Sequence, residues 1–90
     1  MNLNITYRHV ESTPSIEEKI RDKASKIEKY FDKDVNIDWV CTVDKNQHTS
    51  EVNVHASGKH FHAKSEEDSL YKTFDGALQK LEGQIRKSHK

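Results

Sequence analysis

The chain has 90 residues, of which 32% are apolar and 33% are charged, so it can form one small domain with a modest core. Its 15 basic and 15 acidic side chains give a formal net charge of zero. No segment approaches the roughly 18 consecutive apolar residues that span a membrane, and the start of the chain lacks the pattern of a signal peptide. We therefore expect one cytoplasmic domain, residues 1–90, with no membrane contact.

The first two elements in chain order are a strand and a helix. Apolar and polar residues alternate over residues 2–8, which predicts a strand with one buried face. Thr13 is a good helix cap, and Pro14 after it is favoured in the first helical turn. Apolar residues then recur at helical spacing, which predicts a helix over residues 14–31.

Three further strands follow. Alternation over residues 35–44 predicts the second strand, and the third and fourth form a hairpin around Gly58. Cys41 is the only cysteine, so no intrachain disulfide can form. We interpret it as a small buried apolar side chain, the alternative being a reactive thiol. Tyr7 and Trp39 are assigned to packing.

The last predicted element is a helix over about residues 66–88. Ser65 is placed as its cap, with Glu66 and Glu67 in the first turn, where acids complement the helix dipole. Both helices have one apolar stripe and every strand has one apolar face. The prediction is an α+β two-layer sandwich of order β-α-β-β-β-α, with both helices on one face of a four-stranded mixed sheet.

Charges are segregated on the predicted helices. One flank of the first apolar stripe carries Lys19, Lys23, Lys26, Tyr30 and Lys33, and the other carries Glu17, Glu18, Glu28 and Asp32. Residues 76–90 hold four cations against one acid, Glu82. Gly76 and Gly83 fall in the exposed arc of this helix, either as tolerated residues or as points of close approach by a partner. A basic side of this kind favours nucleic acid as the partner, and the alternative is a merely solvated surface.

The segment "DSLYKTFDGALQKLEGQIRKSHK" resembles the terminal helix of the ribosome hibernation-promoting factor family. The matching positions are Asp68, Leu70, Tyr71, Asp75, Lys80, Leu81, Glu82, Gln84, Arg86 and Lys87. The start of the chain is similar too, in "LNIT" at residues 3–6, Val10, Glu11, Thr13 and "KIEKYFDK" at residues 26–33. Gly83 departs from the pattern, because the family usually has a basic residue there.

The resemblance implies a fold similar to double-stranded-RNA-binding domains and a site in the small ribosomal subunit, between its head and body. A protein there overlaps messenger RNA and the A-site and P-site transfer RNAs, and inhibits translation by occupancy. The chain is similar to the short form of the family, which acts in stress or stationary phase with a separate modulation factor to build inactive ribosome dimers. No cofactor, small-molecule substrate or enzyme activity is implied, and the protein is expected to be monomeric off the ribosome.

The resemblance also implies which side chains face ribosomal RNA phosphates. The first group is Lys23, Lys26, Lys29, Lys80, Arg86, Lys87 and Lys90, and the second is Arg8, Lys33, Lys45 and His48. These contacts read shape and charge rather than base edges. Tyr71 has two interpretations, as a packing residue or as a platform for an RNA base.

Two other functions stay open on the residues alone. His60 and His62 lie on one strand face, with His55 across the hairpin, and such a pair can catch a metal adventitiously. A physiological zinc site is not predicted, because no further ligands are visible. The other alternative is a general double-stranded-RNA-binding module. The sequence has no phosphate-binding loop or nucleophile motif of an enzyme.

Overall fold

The computed structural model describes residues 1–88. The elements in chain order are β1 (Asn2–Arg8), α1 (Pro14–Glu28), β2 (Val35–Asp44), β3 (Gln47–Ala56), β4 (Lys59–Glu67) and α2 (Leu70–Ser88). The strands form one sheet in the order β1-β2-β3-β4, with β1 parallel to β2 and the other pairs antiparallel. The predicted topology and mixed sheet are confirmed. No helix in residues 1–88 combines the length and apolar character needed to cross a membrane.

The core lies between the sheet and the two helices, and Trp39 is at its centre. The indole ring is fully buried and meets Phe74 of α2 edge to face, with ring centroids 5.9 Å apart. Its Nε1–H donates to Ser50 Oγ at 3.1 Å, and that hydroxyl lies 2.7 Å from Thr73 Oγ1. Thr73 in turn donates to the carbonyl of Leu70. This buried chain of hydrogen bonds satisfies the one polar group of the indole and ties β3 to the first turn of α2.

Cys41 is fully buried on the helix-facing side of β2. Burial in the apolar core disfavours the thiolate and raises the pKa of the thiol to about 11. The thiol is therefore protonated and enclosed, in agreement with its interpretation as a packing residue.

The first helix is shorter than predicted. It ends at Glu28, and residues 29 and 30 form a turn instead of the helical continuation to residue 31. The Phe31 amide donates to the Glu28 carbonyl at 3.0 Å, a spacing typical of a tightened last turn. Phe31 still packs against Phe61 of β4, with centroids 5.9 Å apart. It therefore keeps the helical spacing of apolar residues without being helical.

The predicted start of the second helix is wrong. Ser65 does not cap a helix but lies buried within β4, and Glu66 and Glu67 complete the same strand. The helix begins at Leu70 and has no acidic residue in its first turn. The strand ladder with β3 overrides the local capping pattern here, because the alternation of buried and exposed residues continues through Ser65.

The two helices lie side by side and run parallel. Three contacts link α1 and the turn after it to α2, and their order is the same along both segments. They are Ser15 Oγ to Tyr71 Oη (3.2 Å), Lys23 Nζ to Asp75 Oδ1 (2.7 Å) and Tyr30 Oη to Glu82 Oε2 (2.7 Å). The carboxyl ends of α1 and α2 consequently meet at the same end of the molecule.

Candidate RNA-binding surface

Positive side chains gather where the two helices end. Lys26 and Lys29 line a hollow between α1 and α2, Arg86 and Lys87 occupy the last turn of α2, and Lys33 follows the end of α1. We call these five residues the basic end. Four of them, all except Lys26, form no ion pair with another residue of the described range 1–88.

Among residues 1–88, one acidic residue lines the hollow at the basic end. It is Glu82, whose carboxylate accepts the hydrogen bond from Tyr30. Lys26 is within 3.9 Å of Asp22 on the exposed side of α1, a distance typical of a weak ion pair. The carboxyl ends of both helices carry partial negative charge, which favours cations at this position. The cations are therefore held near one another while staying available to an external anion.

Two residues of the first predicted group have partners inside the protein. The ammonium group of Lys23 lies 2.7 Å from the Asp75 carboxylate, and its side chain is only 18% exposed. Lys80 donates a hydrogen bond to the main-chain carbonyl of Lys64 on β4. These contacts engage one of the three donors of each ammonium group and so reduce its availability to a phosphate. Lys90 lies outside the described residues.

Gln84, one of the positions of α2 that match the family pattern, contacts the main chain of β4. Gln84 Nε2 donates to the His62 carbonyl at 2.6 Å, and its Oε1 accepts from the His62 amide at 3.3 Å. Together with Lys80, this side chain occupies main-chain groups on the outer edge of β4, an edge strand that no other strand of residues 1–88 covers. Gln84 therefore has a structural role in this chain.

Sequence reasoning missed one cation near the basic end, Lys59. It begins β4 directly after the hairpin turn, and it lines a hollow with Lys33 and Phe31 at the end of α1. Its ammonium group donates to the carbonyl of Ser88 at 3.3 Å. No local pattern reveals this position, because it depends on where a hairpin turn meets the end of a helix distant in sequence.

Three residues of the second predicted group are at the opposite end of the molecule. Arg8 ends β1, and Lys45 lies in the turn between β2 and β3, beside the acids Asp44, Glu66, Glu67 and Asp68. His48 is half-buried, and its Nδ1 is enclosed without a partner in residues 1–88. The 19 residues of α2 span about 28 Å between the two ends. The structure therefore does not bring these three residues together with the basic end.

The two helical glycines differ. An alanine Cβ at Gly76 would lie 3.1 Å from Ser65 Cβ and closer still to Ser65 Oγ, so the close neighbour is β4 of the same chain. The prediction of an exposed backbone was wrong at this position. At Gly83 an added Cβ atom would have no neighbour within 4 Å in the described part of the chain, so a side chain introduced here would be open to a partner or to solvent.

Tyr71 lies near the beginning of α2, away from the basic end. Its ring meets Phe74 edge to face, with centroids 5.7 Å apart, and its hydroxyl reaches Ser15 of α1. The residue remains 44% exposed. These contacts favour the packing interpretation. The ring also lies at the other end of α2 from the cations of the basic end.

The histidines on the outer face of the sheet pair differently from the sequence prediction. His62 Nε2 donates to the Glu51 carboxylate at 3.0 Å, so this ring is held apart from His60. His60 instead stacks on His55, with centroids 4.3 Å apart and ring planes inclined by 4°. Within residues 1–88, no three His, Cys, Asp or Glu residues converge as a metal site.

The chain shares its α+β fold with two solved structures. It superposes on a ribosomal subunit interface protein from Coxiella burnetii with a TM-score of 0.86, at 26% identity, covering 99% of this chain and 98% of that one. The N-terminal domain of Thermus thermophilus Protein Y has the same fold, with a TM-score of 0.89 at 23% identity, covering 97% of this chain and 98% of that one.

The chain belongs to the sigma 54 modulation protein / S30EA ribosomal protein family, whose sequence profile matches residues 3–90. It is 39% identical to the ribosome hibernation promoting factor of Escherichia coli (strain K12), over 97% of this chain and 92% of the relative. The corresponding protein of Pseudomonas putida (strain KT2440) is 31% identical, over 97% of this chain and 85% of the relative. The predicted family membership is confirmed.

Proposed function

We propose that this protein is a ribosome hibernation factor that binds the small ribosomal subunit through its basic end. The observation that carries the proposal is membership of the family, together with relatives over nearly the whole chain that are named for ribosome hibernation. The unpaired cations at the ends of α1 and α2 provide the physical means, because they can replace counterions along a phosphate backbone.

The protein acts by occupancy in this proposal. It lies in the decoding channel, where it overlaps messenger RNA and the A-site and P-site transfer RNAs, and it keeps the ribosome inactive without chemistry or a cofactor. It recognises ribosomal RNA by shape and charge, since a lysine or arginine contact with phosphate carries no base information. It works in the cytoplasm, where it promotes or stabilises inactive ribosome dimers together with a separate modulation factor under stress or in stationary phase.

The first experiment is co-sedimentation of the purified protein with small subunits and with whole ribosomes, at two salt concentrations. We expect saturable binding that weakens steeply with salt and that messenger and transfer RNA compete away. Equal binding to any RNA duplex would favour a general double-stranded-RNA-binding module instead. Absence of co-sedimentation would contradict the proposal.

Charge reversal tests which face is used. Lys87→Glu and Lys26→Glu should each weaken binding to small subunits and lower the salt slope by about one per lost phosphate contact, with the thermal midpoint nearly unchanged. Lys64→Glu is the matched control, because it makes the same charge change on the outer face of the sheet, where Lys64 pairs with Glu66. Equal losses in all three variants would show that net charge, not the basic end, governs binding.

A further inference from the structure

The outer face of the sheet carries a pair of histidines that are not among the five residues of the basic end. His55 on β3 and His60 on β4 are direct partners in the antiparallel register, one on each side of the turn at Ser57 and Gly58. Both side chains are exposed, and their rings stack with centroids 4.3 Å apart. Directly opposed residues in such a pair have Cβ atoms about 5 Å apart, which brings two imidazole rings within reach of one ion.

A third residue orients one ring of this pair. Asn53 Oδ1 lies 2.9 Å from His60 Nε2, and because a carbonyl oxygen only accepts, Nε2 carries the proton. The lone pair of His60 is therefore on Nδ1. A histidine that binds a metal typically donates its other ring N–H to an oxygen in this way. His55 forms no hydrogen bond through its ring within residues 1–88, so either of its nitrogens is available.

We propose that His55 and His60 form a two-histidine site for a divalent transition metal ion of the Cu²⁺ or Ni²⁺ type. Imidazole nitrogen suits these ions, and two cis nitrogens with water in the remaining positions meet their tetragonal geometry. The His55 ring turns about its soft χ2 torsion so that its lone pair points to the ion at His60 Nδ1, while Asn53 keeps the His60 ring in place. Zn²⁺ binds more weakly here, because the pair lacks the further protein ligands of a tetrahedral zinc site.

The surroundings favour a cation when the histidines are neutral. Asp34 and Asn36 line the same hollow as the two rings and add oxygen atoms near the site. Of the cations in residues 1–88, Lys59 alone lines this hollow, and its ammonium group is directed to the carbonyl of Ser88. Binding requires both imidazoles to be unprotonated, because only the neutral ring offers a lone pair to the ion.

The test is calorimetric titration of the full, tag-free chain with Ni²⁺ at pH 7.5. We expect one saturable site per chain, lost in His55→Ala and in His60→Ala. Asn53→Ala should weaken the affinity roughly tenfold, because it removes the group that orients His60. Thermal midpoints measured without metal verify that each variant is folded.

His62→Ala is the matched control, since His62 lies on the same face and strand two residues from His60 and is paired with Glu51. It should keep the wild-type affinity. The proposal is overturned if the wild-type protein shows no saturable site, if His55→Ala binds like wild type, or if His62→Ala loses binding. The free protein is measured without ribosomes, so the result is independent of the proposed function.

Discussion

Gly76 should be the position where α2 least tolerates a side chain. In a helix interior, replacing glycine with alanine ordinarily stabilises a protein by about 1 kcal/mol. At Gly76 the new methyl group would lie 3.1 Å from Ser65 Cβ and closer to Ser65 Oγ, and Ser65 is buried. Overpacking of this kind costs about 1–3 kcal/mol. The net change expected for Gly76→Ala therefore lies between about zero and a loss of 2 kcal/mol.

Gly83 provides the matched control on the same helix. A methyl group there meets no atom of residues 1–88 within 4 Å, so Gly83→Ala should show the full gain of about 1 kcal/mol. For a domain of this size, 1 kcal/mol corresponds to about 4–8 °C in the thermal midpoint. Thermal and urea unfolding of both variants, followed by circular dichroism, should therefore separate them by about 1–3 kcal/mol, which is the cost of overpacking alone.

A double variant locates the origin of the difference. Ser65→Ala removes the closest atom, so in that background Gly76→Ala should recover part of its stability, with the contact between the two Cβ atoms still present. If Gly76→Ala is as stable as Gly83→Ala in the wild-type background, α2 does not approach β4 as closely as described, and the reasoning is refuted.

Four further outcomes are expected. Gly83→Arg, which adds a cation on the open side of α2, should tighten binding to small subunits, and unchanged or weaker binding would argue against contact on that side. Ser50→Ala should lower the free energy of unfolding by about 1–3 kcal/mol, because it leaves the Trp39 indole N–H buried without an acceptor, and a neutral result in urea unfolding would contradict this. Gln84→Ala should speed hydrogen exchange at the His62 amide, measured by NMR against the Val54 amide within the sheet. Cys41 should react with thiol reagents only on unfolding. The pKa of the Cys41 thiol is about 8.5 in the unfolded chain and is raised to about 11 in the folded state. The buried thiol therefore contributes stability that is complete below about pH 8.5 and is lost as the pH rises toward 11. Unfolding at pH 7 and at pH 10 would measure this loss.

The strands and the topology could be predicted because their apolar residues alternate, and a period of two is a strong signal when one face is buried. The start of α2 could not be predicted in this way. Ser65, Glu66 and Glu67 form a good capping pattern, but a ladder with β3 competes for the same residues, and only the folded sheet decides between them. The predicted end of α1 was wrong for a similar reason. Phe31 has the spacing of a helical apolar residue, but it packs on the core from beyond the end of the helix.

The candidate site was predictable in part. Helical periodicity places Lys26, Arg86 and Lys87 on exposed surfaces, and the structure brings them to one end. Helical periodicity does not indicate which groups a long side chain contacts. Lys23 and Lys80 both form contacts within the protein. Those contacts depend on how the parallel helices are positioned over the sheet, which is set by packing rather than by local sequence.

The cover that α2 places on the outer edge of β4 has a consequence for truncated forms of the chain. Lys80 and Gln84, which occupy main-chain groups of that edge, follow all four strands in the sequence. A chain that ends before residue 80 keeps the residues of the four strands but lacks these two side chains. Its β4 edge would then present uncovered donors and acceptors, a template for pairing with another chain. Such truncated chains should associate more readily than the whole chain.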